Sequence, residues 1–591
     1  MRSRAGKSAF QTHAVLNQVA PLEDYSLYET DVVLQQAVQR EGAGEWVAAL
    51  REHGAWLGRA STLAAGEQAN RYSPRWLGYD RNGHRVDQVE FHPAWHGLMS
   101  GIVARGLHSH AWRQSSAAPS TTAKAPIRPG AHAARAAAYL MQGQVEAGTL
   151  CPTTMTFAAV PLLQGEPPGA IDFSEHWLPA LFSQEYDPVD APISAKKGAL
   201  IGMGLTEKQG GSDLSAITTE AVRQRRGGRG RVYHLTGHKW FFSVPHADAH
   251  LVLANTEEGP GCFFVPRWIP EGPRNPVRLR RLKDKLGNRS NASGEVEFER
   301  AWGMLIGEPG RGLPMLLQMA ATTRLDCVLG SAALLRQAVV QAAHHTQHRQ
   351  AFGQALASQP LMRQVLADMA LESEAATAWA LRLARAVDQR DDALDGPGAR
   401  ALVRVGTPAA KLWVCKRAIT AIAECMEVLG GNGYVEEGPL ARLYREAPVN
   451  SIWEGSGNIM ALDVLRALQR DPGCLAALRA ELEPSRGEWP AYDHALDEWL
   501  TQVGGQLPRG TSASAPSAGD ASASVDPAQA RHITAGLARL WQAALLIQSA
   551  PAAVADAYVR SRVIQRGGII GELPAGLDLK VILARAWPGI C

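Results

Sequence analysis

The stretch Asn450-Ser451-Ile452-Trp453-Glu454-Gly455-Ser456-Gly457-Asn458 places one carboxylate between a bulky apolar pair and two closely spaced glycines. Water stabilises a carboxylate, so apolar neighbours on a backbone open to a planar ligand indicate a group whose proton affinity is tuned. A general base needs such tuning. The alternative for this stretch is a surface turn in which Glu454 solvates the end of a helix.

The bulk composition excludes several classes of protein. The chain has 591 residues, of which 46% are hydrophobic and 20% charged, and this length predicts several domains. No apolar run reaches the ~18 residues of a transmembrane helix, so we expect no membrane role and a cytoplasmic location. The seven cysteines lack metal-ligand spacing, so we predict reduced thiols and no metal site. A net charge of +3 gives no general affinity for nucleic acid.

Periodicity along the chain predicts an α+β protein that is mostly α. Helix-like spacing of apolar residues dominates both halves, whereas short β-rich runs separated by glycine and proline lie between about 202 and 307. Segments rich in Ser, Ala, Gly and Pro at 115–130 and 510–524 predict mobile loops. The expected domains are a helical domain at 1–200, a β domain at 201–307, a helical bundle at 308–471 and a C-terminal helical module at 472–591.

Two segments of the predicted β domain have residues suited to a planar ligand. The loop Leu205–Asp213 offers the hydroxyls of Thr206 and Ser212 and the flexible Gly211, which suit a ring edge and a pyrophosphate; the alternative is an ordinary turn. The strand His238–Ser243 ends in Phe241, Phe242 and Ser243. Its alternative interpretation, a strand of a sandwich core, is favoured for Phe242.

Two later segments contain phosphate-binding and glycine-rich patterns. Arg349-Gln350-Ala351-Phe352-Gly353, followed by Gln359, places a guanidinium and an amide where they can grip phosphate, the alternative being a surface arginine. Glu427 to Tyr434 contains Gly430 and Gly431 and leads through Arg445-Glu446-Ala447 to the Glu454 stretch. The order of the four segments matters, because four separate motifs are very unlikely to match one family's motifs in the same order by chance.

In this order the segments resemble the acyl-CoA dehydrogenase family of flavoproteins, over about residues 140 to 465. The resemblance implies a helical domain, a β domain and a four-helix domain, with FAD between the last two. It also implies a homotetramer in which a neighbouring subunit contacts the adenosine diphosphate end of FAD. In such chemistry a carboxylate removes the proton α to a thioester, and a hydride passes from the β carbon to the flavin.

Residue roles follow from the same resemblance. Glu454 takes the place of the catalytic base, and Arg324 lies close to it. Glu427 and Phe241 depart from the pattern, since many members have Gln and Trp there. The cofactor-binding residues implied by the resemblance are Thr206, Gly211, Ser212, Phe241, Phe242, Ser243, Arg349, Gln359, Gly430, Gly431, Trp453, Gly455, Ser456 and Asn458.

The flanking sequences, among them Phe91-His92-Pro93-Ala94-Trp95-His96 and Arg281 to Ser293, resemble the alkylation-response subgroup of this family. That resemblance implies sequence-independent binding of double-stranded DNA through the C-terminal module and a role in limiting alkylation damage. Arg560, Arg562 and Arg566 are the candidate phosphate contacts, the alternative being a solvated helical face. The alternative function is a metabolic dehydrogenase for a short or branched acyl-CoA.

Overall fold

The computed structural model describes residues 12–113, 128–504 and 526–590. The predicted loop at 510–524 lies outside the described residues, as does all but 128–130 of the loop predicted at 115–130. Six of the seven cysteines are described, and all six are buried and free. None of the described helices has the length and apolarity that a membrane span requires.

Among the described residues seven α-helices precede the β domain, and the innermost of them is rich in alanine. All 15 residues of α5 are buried, because its small side chains allow close packing: a Cβ added to Gly143 would lie only 2.8 Å from the Cβ of Ala333. The helices are α1 Val32–Arg40, α2 Val47–Leu57, α3 Ala60–Arg71, α4 Pro93–Ala104, α5 Ala131–Val145, α6 Leu150–Gln164 and α7 Trp177–Leu181.

A β-hairpin interrupts this region, for which the sequence pattern predicts helices throughout. Strands β1 (Arg75–Tyr79) and β2 (Arg85–Glu90) pair antiparallel. The Asp80 carboxylate accepts hydrogen bonds from the backbone N–H groups of Asn82 and His84, which closes the turn. The alternation in Arg85-Val-Asp-Gln-Val-Glu beside a polar turn was the available sequence signal.

Five of the central strands close into a barrel, and two further strands pair at its side. The hydrogen-bonded order is β3-β6-β4-β5-β9-β7, β7 pairs again with β6, and β8 pairs with β9. Pairing is antiparallel except where β6 meets β3 and β4. The strands are β3 Ile201–Gly204, β4 Glu220–Arg223, β5 Val232–Ser243, β6 Ala249–Thr256, β7 Gly259–Pro266, β8 Val277–Leu282 and β9 Ser293–Ile306.

Three long helices form the centre of the C-terminal half. Helix α8 has 37 residues, α9 has 30 and α10 has 33. A short hairpin, β10 (Gln350–Ala351) and β11 (Gln354–Ala355), separates α8 from α9. The helices are α8 Gly312–His348, α9 Pro360–Gln389, α10 Gly396–Val428, α11 Gly431–Tyr434, α12 Pro439–Asn450 and α13 Gly457–Arg470.

Most of the remaining helices pack directly onto this bundle. Trp541 of the module lies 5.5 Å from Trp379 of α9, measured between ring centroids. A Cβ on Gly406 of α10 would lie 2.8 Å from the Trp541 ring, so a glycine is needed at this close approach. The helices are α14 Pro472–Leu482, α15 Pro490–Gly504, α16 Ala530–Ser549, α17 Ala552–Tyr558 and α18 Leu579–Ala586, with a π-helical turn at Val559–Ile564.

Candidate active site

The loop between α12 and α13 presents Glu454 in a strained conformation. Glu454 has a φ of 59°, in the left-handed region that non-glycine residues rarely adopt. Gly455 follows with a φ of 109°, and a Cβ there would lie 2.6 Å from Cε of Met460. The side chain of Glu454 is half-buried. The loop therefore turns the carboxylate inward, which does not fit the alternative of a solvated helix end.

One hydroxyl and two cations surround this carboxylate without forming an ion pair with it. Thr323 Oγ1 donates to Glu454 Oε2 at 2.7 Å. Arg324 Nε donates to the backbone carbonyl of Glu454 at 2.8 Å, and Lys411 Nζ donates to that of Gly455 at 2.7 Å. Burial raises the pKa of Glu454, whereas the Thr323 hydrogen bond and the charges of Lys411 and Arg324 oppose this rise; the net direction is upward.

Sequence reasoning missed Thr323 and Lys411. Thr323 adjoins the predicted Arg324 on α8 and is 2% exposed, so its neighbour was the available signal. Lys411 lies within α10, 43 positions before Glu454 in the sequence, and is 1% exposed. Nothing in its local sequence distinguishes Lys411 from a surface lysine, and only the packing of α10 against the loop brings it to the site.

The loop containing Thr206, Gly211 and Ser212 is anchored by a buried ion pair. Lys239 Nζ lies 2.7 Å from Glu207 Oε1, and neither side chain is exposed. Burial would raise the pKa of Glu207, but hydrogen bonds from Lys239 and Thr219 hold it well below its usual range. A Cβ on Gly211 would lie 2.7 Å from Thr206 Oγ1, so glycine is what leaves space for that hydroxyl.

The end of β5 separates its aromatic residues onto different sides. Phe241 is 52% exposed, with Lys283 Nζ 4.5 Å from its ring centroid. Phe242 is 1% exposed and stacks on His250 at 3.9 Å, inside the core of the barrel. The assignment of Phe242 to a cofactor is therefore wrong: alternation along the strand points its ring inward. Ser243 is half-buried, with its hydroxyl 3.4 Å from that of Ser293.

Arg349 and Gln359 lie away from Glu454 within one chain. Arg349 follows α8 and is 25 residues beyond Arg324, roughly 37 Å along the helix at 1.5 Å per residue. Its Nη1 donates to the backbone carbonyl of Asn17, and Gln359 Nε2 donates to that of Ala351 at 3.1 Å. This separation places both residues far from the Glu454 carboxylate of the same chain.

The other predicted cofactor residues surround the Glu454 loop or the start of α11. Gly430 has a φ of 61°, and no atom lies within 4 Å of the position of an added Cβ on it or on Gly431. Trp453 is half-buried and donates its Nε1–H to Asn450 Oδ1 at 3.1 Å. Ser456 precedes α13 as its N-cap without a side-chain capping bond. Asn458 is exposed on the first turn of α13.

The three arginines predicted to bind DNA do not form one surface. Arg562 is 5% exposed and forms ion pairs with Asp368 and, at 3.3 Å, with Glu372 of α9. Its assignment as a phosphate contact is wrong, because its guanidinium is used inside the protein. Arg560 is half-buried, and its Nη2 donates to the carbonyl of Ala575 at 2.8 Å. Arg566 is exposed, and its Nη2 lies 3.9 Å from Glu498 Oε2.

Comparison with known proteins assigns the chain to a family. Models described as the adaptive response protein AidB N-terminal domain, the acyl-CoA dehydrogenase middle domain and the acyl-CoA dehydrogenase C-terminal domain match residues 17–188, 202–301 and 310–469. The putative acyl-CoA dehydrogenase AidB of Escherichia coli (strain K12) is 46% identical over 584 residues, which is 98% of this chain and 99% of that protein. The chain belongs to the AidB branch of the acyl-CoA dehydrogenase family.

More distant relatives agree with this assignment. The acyl-CoA dehydrogenase family member 11 of Caenorhabditis elegans is 29% identical over 500 residues, which is 82% of this chain and 77% of that protein. The crystal structure of Caenorhabditis elegans ACDH-11 in complex with C11-CoA covers 99% of this chain and 95% of its own, with a TM-score of 0.79 and 24% identity. The predicted fold is confirmed, and the chain is an FAD-dependent oxidoreductase by family.

The residues at the site fit such a cofactor. Thr206 and Ser243 supply hydroxyls, and Phe241 supplies an exposed aromatic ring. A Cβ on Gly211 would crowd the Thr206 hydroxyl, whereas the space beside Gly430 is open. This combination of a flat apolar face with hydroxyl donors suits an aromatic ring system joined to phosphate. The described residues contain no group of three or more His, Cys, Asp or Glu side chains that would hold a metal ion.

Proposed function

We propose that this AidB-type flavoprotein retains a working proton-abstraction site at Glu454 and binds double-stranded DNA through residues 472–591 to limit alkylation damage. The observation that supports the first part is the state of Glu454. Its carboxylate is half-buried, is held by a strained turn, and has no ion pair among the described residues. An unpaired carboxylate with a raised pKa has the properties of a general base.

In the proposed reaction Glu454 removes the proton α to the carbonyl of an acyl-CoA thioester. FAD, when bound, supplies the acceptor for the hydride that leaves the β carbon. Thr206 and Ser243 offer hydroxyls to the flavin, Phe241 covers it, and Ser212 with Asn458 serves its phosphate-bearing end. Arg324 and Lys411 hold the loop by its carbonyl groups, so they position Glu454 and lower its pKa without neutralising it.

Anaerobic bleaching of the bound FAD by a panel of short and branched acyl-CoA thioesters tests the dehydrogenase part. Replacement Glu454→Gln should slow the bleaching by about 10²- to 10⁴-fold, the usual contribution of a general base. Glu437→Gln, at an exposed glutamate, is the matched control and should bleach at the parent rate. Equal rates for Glu454→Gln and the parent protein would remove Glu454 from the role of base.

The DNA-binding part is supported by the near full-length similarity to AidB and by a local basic surface. Arg566 is exposed, and Arg539 of α16 is half-buried nearby; burial lowers the pKa of Arg539, and the charge of Arg566 lowers it further. We therefore propose that Arg566 and Arg539, and not the buried Arg562, contact the DNA. Backbone phosphates are the expected ligands, because a guanidinium contact with phosphate does not depend on the base sequence.

Titration of a fluorescent DNA duplex at several salt concentrations tests this contact. The logarithm of affinity should fall linearly with the logarithm of salt, and Arg566→Ala should reduce both affinity and slope. Arg71→Ala, at an exposed arginine of α3, removes the same charge elsewhere and should change neither. Failure of the parent protein to bind DNA even at low salt would refute this part.

A metabolic dehydrogenase without a DNA role is the second candidate, and the charge of the module favours it. Residues 472–504 contain Arg479 and Arg486 against six acids, Glu481, Glu483, Glu488, Asp493, Asp497 and Glu498. An acidic first half opposes contact with phosphates over the whole module. Rapid bleaching by one thioester together with absent DNA binding would select this candidate.

The proposal includes a homotetramer in the cytoplasm. Phe352 is 96% exposed at the turn between β10 and β11, a position that a second copy of the chain would cover. Arg349 and Gln359 lie at the same hairpin, so a neighbouring subunit would bring them to its partner's cofactor. Light scattering should report four chains for the parent protein and a smaller assembly for Phe352→Asp.

A further inference from the structure

The C-terminal module contacts the chain immediately after Glu454. Helix α16 begins beside the first turn of α13, and Arg531 Nε donates to Asn458 Oδ1 at 2.8 Å. Asn458 lies four residues after Glu454. The contact joins positions 73 residues apart, and it is made by a residue beyond the last matched dehydrogenase domain, which ends at 469.

The guanidinium also approaches the backbone of α13 closely. A Cβ built on Gly457 would lie 3.4 Å from Arg531 Nη2 and 2.6 Å from Lys416 Cε, so side chains of α16 and α10 converge on this glycine. Among the described residues Arg531 forms no ion pair with a carboxylate, and its guanidinium donates its side-chain hydrogen bond to Asn458. The arginine therefore serves this amide and is not part of a salt-bridge network like that of Arg562.

The chemistry of the two groups determines which way the amide faces. A guanidinium has only N–H donors, so it must meet the carbonyl oxygen of an asparagine side chain. The Nδ2 group of Asn458, with two N–H donors, is then left for an acceptor outside this pair. We propose that Arg531 is a positioning residue of the cofactor site, holding the Asn458 amide with its N–H groups available to an oxygen acceptor of FAD.

This inference rests on the proposed role of Asn458 as a cofactor contact, and it makes the C-terminal module part of the flavin site. Removal of Arg531 would free the amide to rotate, so that binding of FAD must select one of its orientations. Replacement of Arg531 should therefore weaken the binding of FAD. The same replacement should have no effect on FAD binding in a protein that already lacks the Asn458 side chain.

The test is a double-mutant cycle on the dissociation constant of FAD, measured by flavin fluorescence on full-length apoprotein. The proteins are the parent, Arg531→Met, Asn458→Ala and the double variant. We expect Arg531→Met to weaken FAD binding about fivefold to tenfold, and the double variant to bind within about twofold of Asn458→Ala alone. Arg466→Met, at an exposed arginine of α13, is the matched control and should bind like the parent.

The outcomes distinguish the role of Arg531 from the role of Asn458 as a cofactor contact. If Asn458→Ala leaves FAD binding unchanged, the role of Asn458 fails and the inference fails with it. If Asn458→Ala weakens binding but Arg531→Met does not, only the inference is overturned. Additive losses would also overturn it, because Arg531 would then act independently of Asn458. A lower unfolding temperature of the Arg531→Met apoprotein, without a change in FAD affinity, would assign Arg531 to stability alone.

Discussion

Glu454 and Arg562 are both charged side chains held largely away from water, but their surroundings differ in kind. Arg562 meets the carboxylates of Asp368 and Glu372 directly, and these pairs join the C-terminal module to α9. Glu454 meets a hydroxyl, while the nearest cations bond to backbone carbonyls of its loop. A direct ion pair gives a charged side chain a structural role. Cations that bond to the backbone beside a carboxylate leave that carboxylate able to exchange a proton.

The largest effect is expected at Arg562, whose replacement should lower the stability of the fold. Arg562→Met should lower the free energy of unfolding by about 3–5 kcal/mol, because Asp368 and Glu372 would remain buried with fewer partners. Denaturation in urea, followed by circular dichroism, measures this loss. Arg566→Met, four residues on and exposed, should stay within about 0.5 kcal/mol of the parent. Similar losses for both variants would contradict the structural role of Arg562.

The neighbours Phe241 and Phe242 extend the comparison to apolar side chains. Phe242→Ala should destabilise the apoprotein by about 3–5 kcal/mol, because it empties a packed position in the barrel. Phe241→Ala should leave the stability of the apoprotein within about 0.5 kcal/mol of the parent and change the absorption spectrum of bound FAD. Thermal unfolding with and without FAD checks both expectations, and a reversed pattern would place the wrong ring beside the cofactor.

The smallest expected change concerns the proton affinity of Glu454. The Thr323 hydrogen bond lowers the pKa of Glu454, so Thr323→Val should raise it. Since the ionised carboxylate is the base, the acid limb of the bleaching rate should move to higher pH. The rate against pH, measured anaerobically with one thioester, shows the shift. Thr346→Val is the control, because Thr346 is a buried threonine of the same helix whose hydroxyl donates to the carbonyl of Ala342. A shift of the acid limb to lower pH in Thr323→Val would contradict the proposed role of Thr323 at Glu454.

Much of the fold was predictable because its signals are local. Helical spacing, the alternation in the β runs and the order of the glycine-containing motifs identified the family, which the comparisons confirm. The β1–β2 hairpin was missed because its short strands lie between long helices. Arg562 of the C-terminal module was misjudged for a different reason: a count of charges does not show which arginines meet carboxylates from distant helices.

The sequence by itself determined the residue types at the site, their order, and the glycines that allow close approach at Gly211 and Gly455. These properties belong to single residues and their near neighbours. The tertiary structure alone decided that Thr323 and Lys411 adjoin Glu454, that Arg562 is buried, and that Arg531 meets Asn458. The physical reason is that the environment of a charge depends on which distant side chains pack against it, and packing is a property of the folded chain.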